Sequence, residues 1–220
     1  MIPSFLRQPA PACRTPFPAE RGLQVHGVDD PLRSEVQAFI ARIYAQRFGA
    51  HVRRFAPCLV SLRDPLSGDI VAAAGYRFAD TGPLFLERYL NAPIEDLLSA
   101  QHGAPVARRS VVEVGHLAAG RAGEGRRLIM LLGQHLAQPD QQHAEWVVST
   151  LTQELRHLFV RLGVTPLALG QADPAAVGED LVAWGSYYDH CPVVLAGRLQ
   201  AALRLMGRRA ARANAGADHA

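Results

Sequence analysis

Lysine is absent from all 220 residues, and the 23 strongly basic side chains are all arginine. This excludes Schiff-base catalysis, which needs a lysine amine, and the P-loop, which needs a lysine on the nucleotide phosphates. Cysteine is sparse. Cys13, Cys58 and Cys191 form no CxxC pair and leave one unmatched, which fits a reducing compartment better than a disulfide framework. No apolar run approaches the ~20 residues of a membrane-spanning helix; the stretch from Leu128 to Leu132 is among the longest. Five prolines break residues 1–19, so neither a signal core nor a transit segment is read there, and a cytoplasmic location is expected. There is no GxSxG elbow, which argues against a serine hydrolase of that kind. Asp189 and His190 lack a third ligand at useful spacing, so no metal is expected. A net charge of +3 does not call for a nucleic-acid partner.

The chain is long enough for one well-filled core and short for two. Apolar residues make up 49% and charged residues 20%, as in ordinary globular proteins. Residues 1–20 read as a proline-rich leader, 21–197 as one domain, and 198–220 as a basic Ala/Arg-rich tail. Alternation predicts a strand from Leu23 to Val28, then a helix with Asp30 as N-cap, Pro31 at its first position and Gly49 at its end. Two strands, Cys58 to Arg63 and Ile70 to Phe78, flank a turn at Asp64–Asp69. Leu84 to Leu90 reads equally as strand or helix. A short helix follows from Pro93 to Gln101, then a buried strand from Ser110 to Ala118. Beyond lie a glycine-rich turn, a helix carrying Leu128, Ile129, Leu132 and Leu136 on one side, a strand from Trp146, and a helix from Glu154 to Leu162. Two last strands are expected, near Leu167–Leu169 and between Tyr187 and Leu195. Strands alternating with helices predict an α/β fold, and the early hairpin argues for a mixed central sheet with helices on both faces.

The most informative local feature is strand, glycine turn and helix over Val111 to Leu132. Gly120, Gly123 and Gly125 allow a ligand close to the backbone, and free N–H groups at the helix start bind phosphate oxygens. Arg121, Arg126 and Arg127 stand in or just after the turn and supply charge-assisted contacts. The glycine spacing reverses that of a dinucleotide fingerprint. It resembles instead the pyrophosphate loop of GNAT acyltransferases, with Gly120 where that family prefers Gln or Arg. Leu158-Phe159-Val160-Arg161-Leu162-Gly163-Val164 resembles the same family's end-of-helix signature. Phe159 stands where many members place the tyrosine that protonates the leaving thiolate.

Longer stretches resemble the thermostable hemolysin family: Leu84 to Leu90, Val112 to Ala118, Glu145 to Val148, and Trp184 to Asp189. The likeness covers roughly Arg21 to Gly197, with His116 where Asn is expected. That family is similar in turn to autoinducer synthases, which have a GNAT-like fold and move an acyl chain from a carrier to an amine. The resemblance implies an acyltransferase using acyl-CoA or a phosphopantetheine-linked acyl-carrier protein, with an amine or hydroxyl acceptor. It places Glu113 on the strand whose glutamate serves as base.

Each candidate also has a plainer reading. Glu113 is a general base or an acid paired with arginine. Glu87 is more simply an ion-paired residue. His116, three residues from Glu113, faces the opposite side unless the strand carries a bulge. Tyr187, Tyr188 or His190 serves as general acid or packs at a strand start. Ser149 and Thr150 line the core or cleft. Arg108, Arg109 and Arg126 are candidates for docking a carrier protein. Leu195, Leu199, Ala202, Leu203 and Met206 form a helical stripe in the basic tail. It reads as a docking helix or as a membrane-surface helix, the basis of an alternative, membrane-active function; a third reading is a degenerate GNAT-like binding module.

Overall fold

The computed structural model describes residues 22–138 and 144–217; the expected leader at 1–20 lies outside them. Seven strands form one sheet: β1 (Leu23–His26), β2 (Cys58–Arg63), β3 (Ile70–Phe78), β4 (Val111–Ala119), β5 (Trp146–Leu151), β6 (Leu167–Gln171) and β7 (Val193–Arg198). Their order across the sheet is β1-β2-β3-β4-β5-β7-β6. Neighbours are antiparallel except β4 and β5, which are parallel, so the expected mixed sheet is present.

Helix α1 (Arg33–Phe48) covers one face. Its buried Val36, Phe39, Ile40, Tyr44 and Phe48 pack with Leu59, Ala73 and Ala118, each side chain contributing roughly 1.5–3 kcal/mol. The helix starts later than the sequence suggested. Asp30 Oδ1 accepts from Leu32 N at 2.7 Å and Asp30 O from Arg33 N at 3.0 Å, so Asp30 closes a turn rather than capping the helix. The Arg33 guanidinium then donates to the carbonyls of Ala56 and Pro57 at 2.6 and 2.9 Å, tying this turn to the approach of β2.

The same face carries α2 (Ile94–His102) and, before it, a short 3₁₀ turn at Phe85–Tyr89, which resolves the open segment. Glu87 builds that turn: Leu84 N and Ile94 N donate to its carboxylate at 2.8 and 3.1 Å. The opposite face carries α3 (Glu124–Leu136), with Leu128, Leu132 and Leu136 against Tyr76, Val112 and Val114. It also carries α5 (Leu199–Ala217), whose Leu199 and Met206 are buried. Helix α4 (Gln153–Arg161) joins β5 to β6, and its Leu158 and Phe159 pack with Ile129 and Met206.

One strand boundary needs correcting. Tyr187–His190 is a 3₁₀ turn and the strand begins only at Val193. The Tyr187 ring leaves the sheet to pack against Phe48 of α1 at 5.3 Å and Trp184 at 5.1 Å. Among the described residues no helix is long and apolar enough to cross a membrane.

Candidate active site

Strand β4 holds the site because it fits its two neighbours imperfectly. Against β3, Gly115 pairs with Gly75 but Ala118 pairs with Ala73, so His116 and Leu117 together stand opposite Ala74. His116 takes up the extra residue at φ +53°, unusual for a side chain with Cβ. Glu113 and His116, which a regular strand would separate, therefore line one cavity of about 360 Å³. Against β5, the parallel pairing ends at Glu113 opposite Val148. Beyond it Ser149 Oγ donates a hydrogen bond to the Val114 carbonyl.

Glu113 accepts two backbone N–H groups, from Phe85 at 2.8 Å and Leu86 at 2.9 Å. Burial pushes its pKa above the usual 4.5, and these two bonds and the nearby Arg77 charge oppose the rise. His116 Nε2 lies 3.1 Å from the Arg54 carbonyl, which can only accept, so Nε2 carries the proton. Burial lowers its pKa to about 4, leaving the ring neutral near pH 7, and Nδ1 is buried without a partner. Burial raises the Tyr187 phenol well above its usual value, so it keeps its proton. Its hydroxyl lies 3.4 Å from the Thr150 carbonyl. Tyr188 is one step removed: its hydroxyl shares a 2.6 Å hydrogen bond with Tyr89, and Tyr89 lines the cavity.

A second cavity of about 620 Å³ lies on the other side of Tyr44, Gly115, His116, Thr150 and Tyr187, which line both. It contains Gly120, Arg121, Gly123, Gly125 and Arg126, five of the six residues expected from the glycine turn. Gly123, at φ +87°, turns the chain into α3 and aims that helix's N-terminus at the cavity. Arg127 is not part of the lining; its guanidinium reaches Glu124 at 3.5 Å. Two further arginines do contribute, Arg47 from the end of α1 and Arg161 from the end of α4. Arg121 is paired with Asp64, whereas Arg47, Arg126 and Arg161 close no ion pair among the described residues, so the lining is cationic. Past Leu117 and Ile129 an apolar cavity of about 90 Å³ opens on the α5 side of the sheet, where Phe159 resides.

Other candidates serve structure. Arg108 donates to Glu87 at 2.6 and 2.8 Å and to Glu95 at 2.6 Å, so it is not available to dock a partner. Mainly through Arg108, Glu87 is held at about 2, far below its usual value. His190 bonds Glu154 at 2.7 Å and lines neither large cavity.

Among solved structures, the chain is similar to TofI in its apo form, at 18% identity and TM-score 0.55, covering 83% of this chain and 95% of that one. It is similar to FeeM, an N-acyl amino acid synthase from uncultured soil microbes, at 12% identity and TM-score 0.52, covering 81% and 92%. The CoA-dependent acyl-homoserine lactone synthase BjaI, solved with SAM and isopentyl-CoA, matches at 14% identity and TM-score 0.52, covering 84% and 87%. At these identities the likeness carries the fold, which is GNAT-like. No curated protein sequence matches significantly. The family model described as Thermostable hemolysin matches residues 26–203, which span α1 through β7 and the whole of both large cavities. The chain belongs to the thermostable hemolysin family.

Proposed function

We propose that this chain is an acyltransferase that moves an acyl group from a thioester donor, acyl-CoA or acyl-carrier protein, to an amine or hydroxyl acceptor. The observation that carries the reading is the meeting of two cavities at the parted strands β4 and β5. One is lined by arginines and the glycine turn and suits the phosphates of the donor. The other holds the Glu113 carboxylate.

In this reading the acceptor nitrogen or oxygen attacks the thioester carbonyl, and its proton passes to Glu113. The new C–N or C–O bond forms as the C–S bond breaks. The thiolate leaves and takes the Tyr187 proton, the role that Phe159 cannot fill. Backbone N–H groups released by the bulge at His116 and Leu117 are suited to the developing oxyanion. Neutral His116 holds the bulge against the Arg54 carbonyl. The apolar cavity between β4, α3 and α5 suits the acyl chain. Exposed Arg109 and Arg126 remain as docking points for a carrier protein.

The membrane-active alternative has less support, because the apolar side of α5 is already engaged: Leu199 and Met206 are buried, and Leu203 packs closely at Gly133 of α3. The test is thermal melting with acyl-CoAs of increasing length and with acyl-carrier proteins, using free CoA as control. Ligands that bind only the folded chain raise Tm, and a rise that depends on acyl length is expected. No rise with any donor overturns the reading.

A further inference from the structure

The cavity around Glu113 has a charge pattern that names its acceptor more closely. Arg77 and Glu113 are register partners on the adjacent strands β3 and β4, so their side chains stand side by side on one face. They do not close an ion pair. Arg77 spends one donor on the Pro83 carbonyl at 2.9 Å, has no carboxylate partner among the described residues, and lines the cavity half-buried. Arg88 is fixed in the same way, by the Phe85 carbonyl at 3.0 Å and by stacking 3.8 Å above the Phe85 ring. Arg53 also reaches the cavity, whereas Arg54 is paired with Asp180. Among the described residues the lining holds Glu113 and Asp180 against Arg53, Arg54, Arg77 and Arg88, so cations outnumber anions there. Phe55, Phe85, Tyr89 and Trp184 add an aromatic share to the remaining wall.

A half-buried guanidinium that closes no ion pair can still take an anion, and the adjacent carboxylate can take a cation. One small molecule answers both when its amine and carboxylate share a carbon. We infer that the acceptor is a free α-amino acid with an apolar or aromatic side chain, its amine at Glu113, its carboxylate on Arg77 and its side chain among the aromatic rings. This rests on the acyltransferase reading above. The ammonium first yields one proton to solvent. The free amine nitrogen then bonds to the thioester carbon, its second proton goes to Glu113 as the C–S bond breaks, and the thiolate departs with the Tyr187 proton. An acceptor carrying a further positive centre, such as a sulfonium, is disfavoured by Arg53, Arg77 and Arg88.

The experiment follows CoA or carrier thiol release with a donor already known to raise Tm. The acceptors are L-phenylalanine, its methyl ester, phenethylamine and S-adenosylmethionine. The free amino acid should exceed the ester and the decarboxylated amine at least tenfold in kcat/KM. Arg77→Gln should raise KM for the amino acid at least tenfold, with a smaller effect on kcat, and narrow its advantage over phenethylamine to under threefold. If Arg77→Gln does not fold, Arg77→Lys keeps the charge without the two-pronged contact and should raise KM for the amino acid about threefold or more with a smaller effect on kcat, an unchanged KM overturning the inference. Equal use of acid, ester and amine, preference for the sulfonium, or no transfer to any amine with the donor bound each overturns the inference while leaving a thioester site in place. A donor panel that binds nowhere removes the acyltransferase reading itself, before any acceptor is added.

Discussion

Glu113 and Phe85, 28 residues apart, are joined by a 2.8 Å hydrogen bond from the Phe85 backbone N–H to the carboxylate, and the neighbouring N–H of Leu86 adds a second at 2.9 Å. The proposed base is therefore also the peg on which the turn at Phe85–Tyr89 hangs, so chemistry and folding are coupled at one side chain.

Replacing Glu113 separates the two roles. In Glu113→Gln the amide NH₂ confronts a backbone donor, one hydrogen bond is lost, and stability falls by about 1–2 kcal/mol. Transfer should fall at least tenfold, the scale of lost general-base catalysis. Melting curves and single-turnover thiol release report each effect separately, and an unchanged rate removes Glu113 from the mechanism. The pH behaviour has opposite signs. Its pKa is raised above 4.5 by burial, so activity should rise with pH through that raised midpoint as the base ionises. The protonated form is favoured in the folded chain, so its stabilising contribution is complete below the ordinary value and lost as pH climbs through the raised one. Glu113→Gln should flatten both trends.

Tyr187→Phe tests the proton donor. The ring contacts with Phe48, Trp184 and Tyr44 survive the change, so Tm should move little. A phenol kept protonated by burial is lost, and kcat should drop tenfold or more while donor binding persists. If the thiol is released at the parent rate, the leaving group finds its proton elsewhere.

Arg108 tests the ion network beneath the site. Arg108→Met leaves Glu87 and Glu95 without their shared cation. The three groups are only partly shielded from water, so about 1–2 kcal/mol of stability should be lost rather than the 3–5 of a fully buried pair. Because Glu87 sits at about 2 in the folded chain, the parent should lose stability as pH falls from about 4.5 towards 2. That acid sensitivity should be blunted in the variant, and an unchanged acid melting profile would show that the pair contributes nothing.

The helices and the β2–β3 hairpin were legible because their signals are local. The apolar spacing along α1 and α3, Gly49 at φ +65° after α1, and Asp64 accepting from Leu66 and Ser67 all act within a few residues. What escaped depends on distant neighbours. The bulge that the sequence left open at His116 is decided by how β4 must meet β3, not by any nearby residue. Tyr187 looks like the start of a strand until Phe48 and Trp184 draw it into a turn. Arg47 and Arg161 end two helices far apart in sequence and reach one cavity only through the fold. The expected glycine-turn residues nearly all line that cavity, because a tight turn and the helix after it move as one piece. Arg127, a residue further along α3, rotates away.

The bulge in β4 turns residue spacing into a ruler. Side chains alternate faces along a strand, and one extra residue exchanges odd positions for even ones. Glu113 lies before that exchange and Ala118 after it, and both belong to the α1 face only because His116 and Leu117 occupy the place of one residue. Pairing both in a regular ladder would send Ala118 to the α3 side and pull the glycine turn out of phase with the carboxylate, whereas deleting one would keep Ala118 opposite Ala73 but remove the bulge that brings His116 to the cavity. The interval from Glu113 to Gly120 is thus set by geometry rather than by the identity of the residues within it. A chain that built the same pair of cavities from different side chains would need either the bulge at this interval or a regular strand one residue shorter.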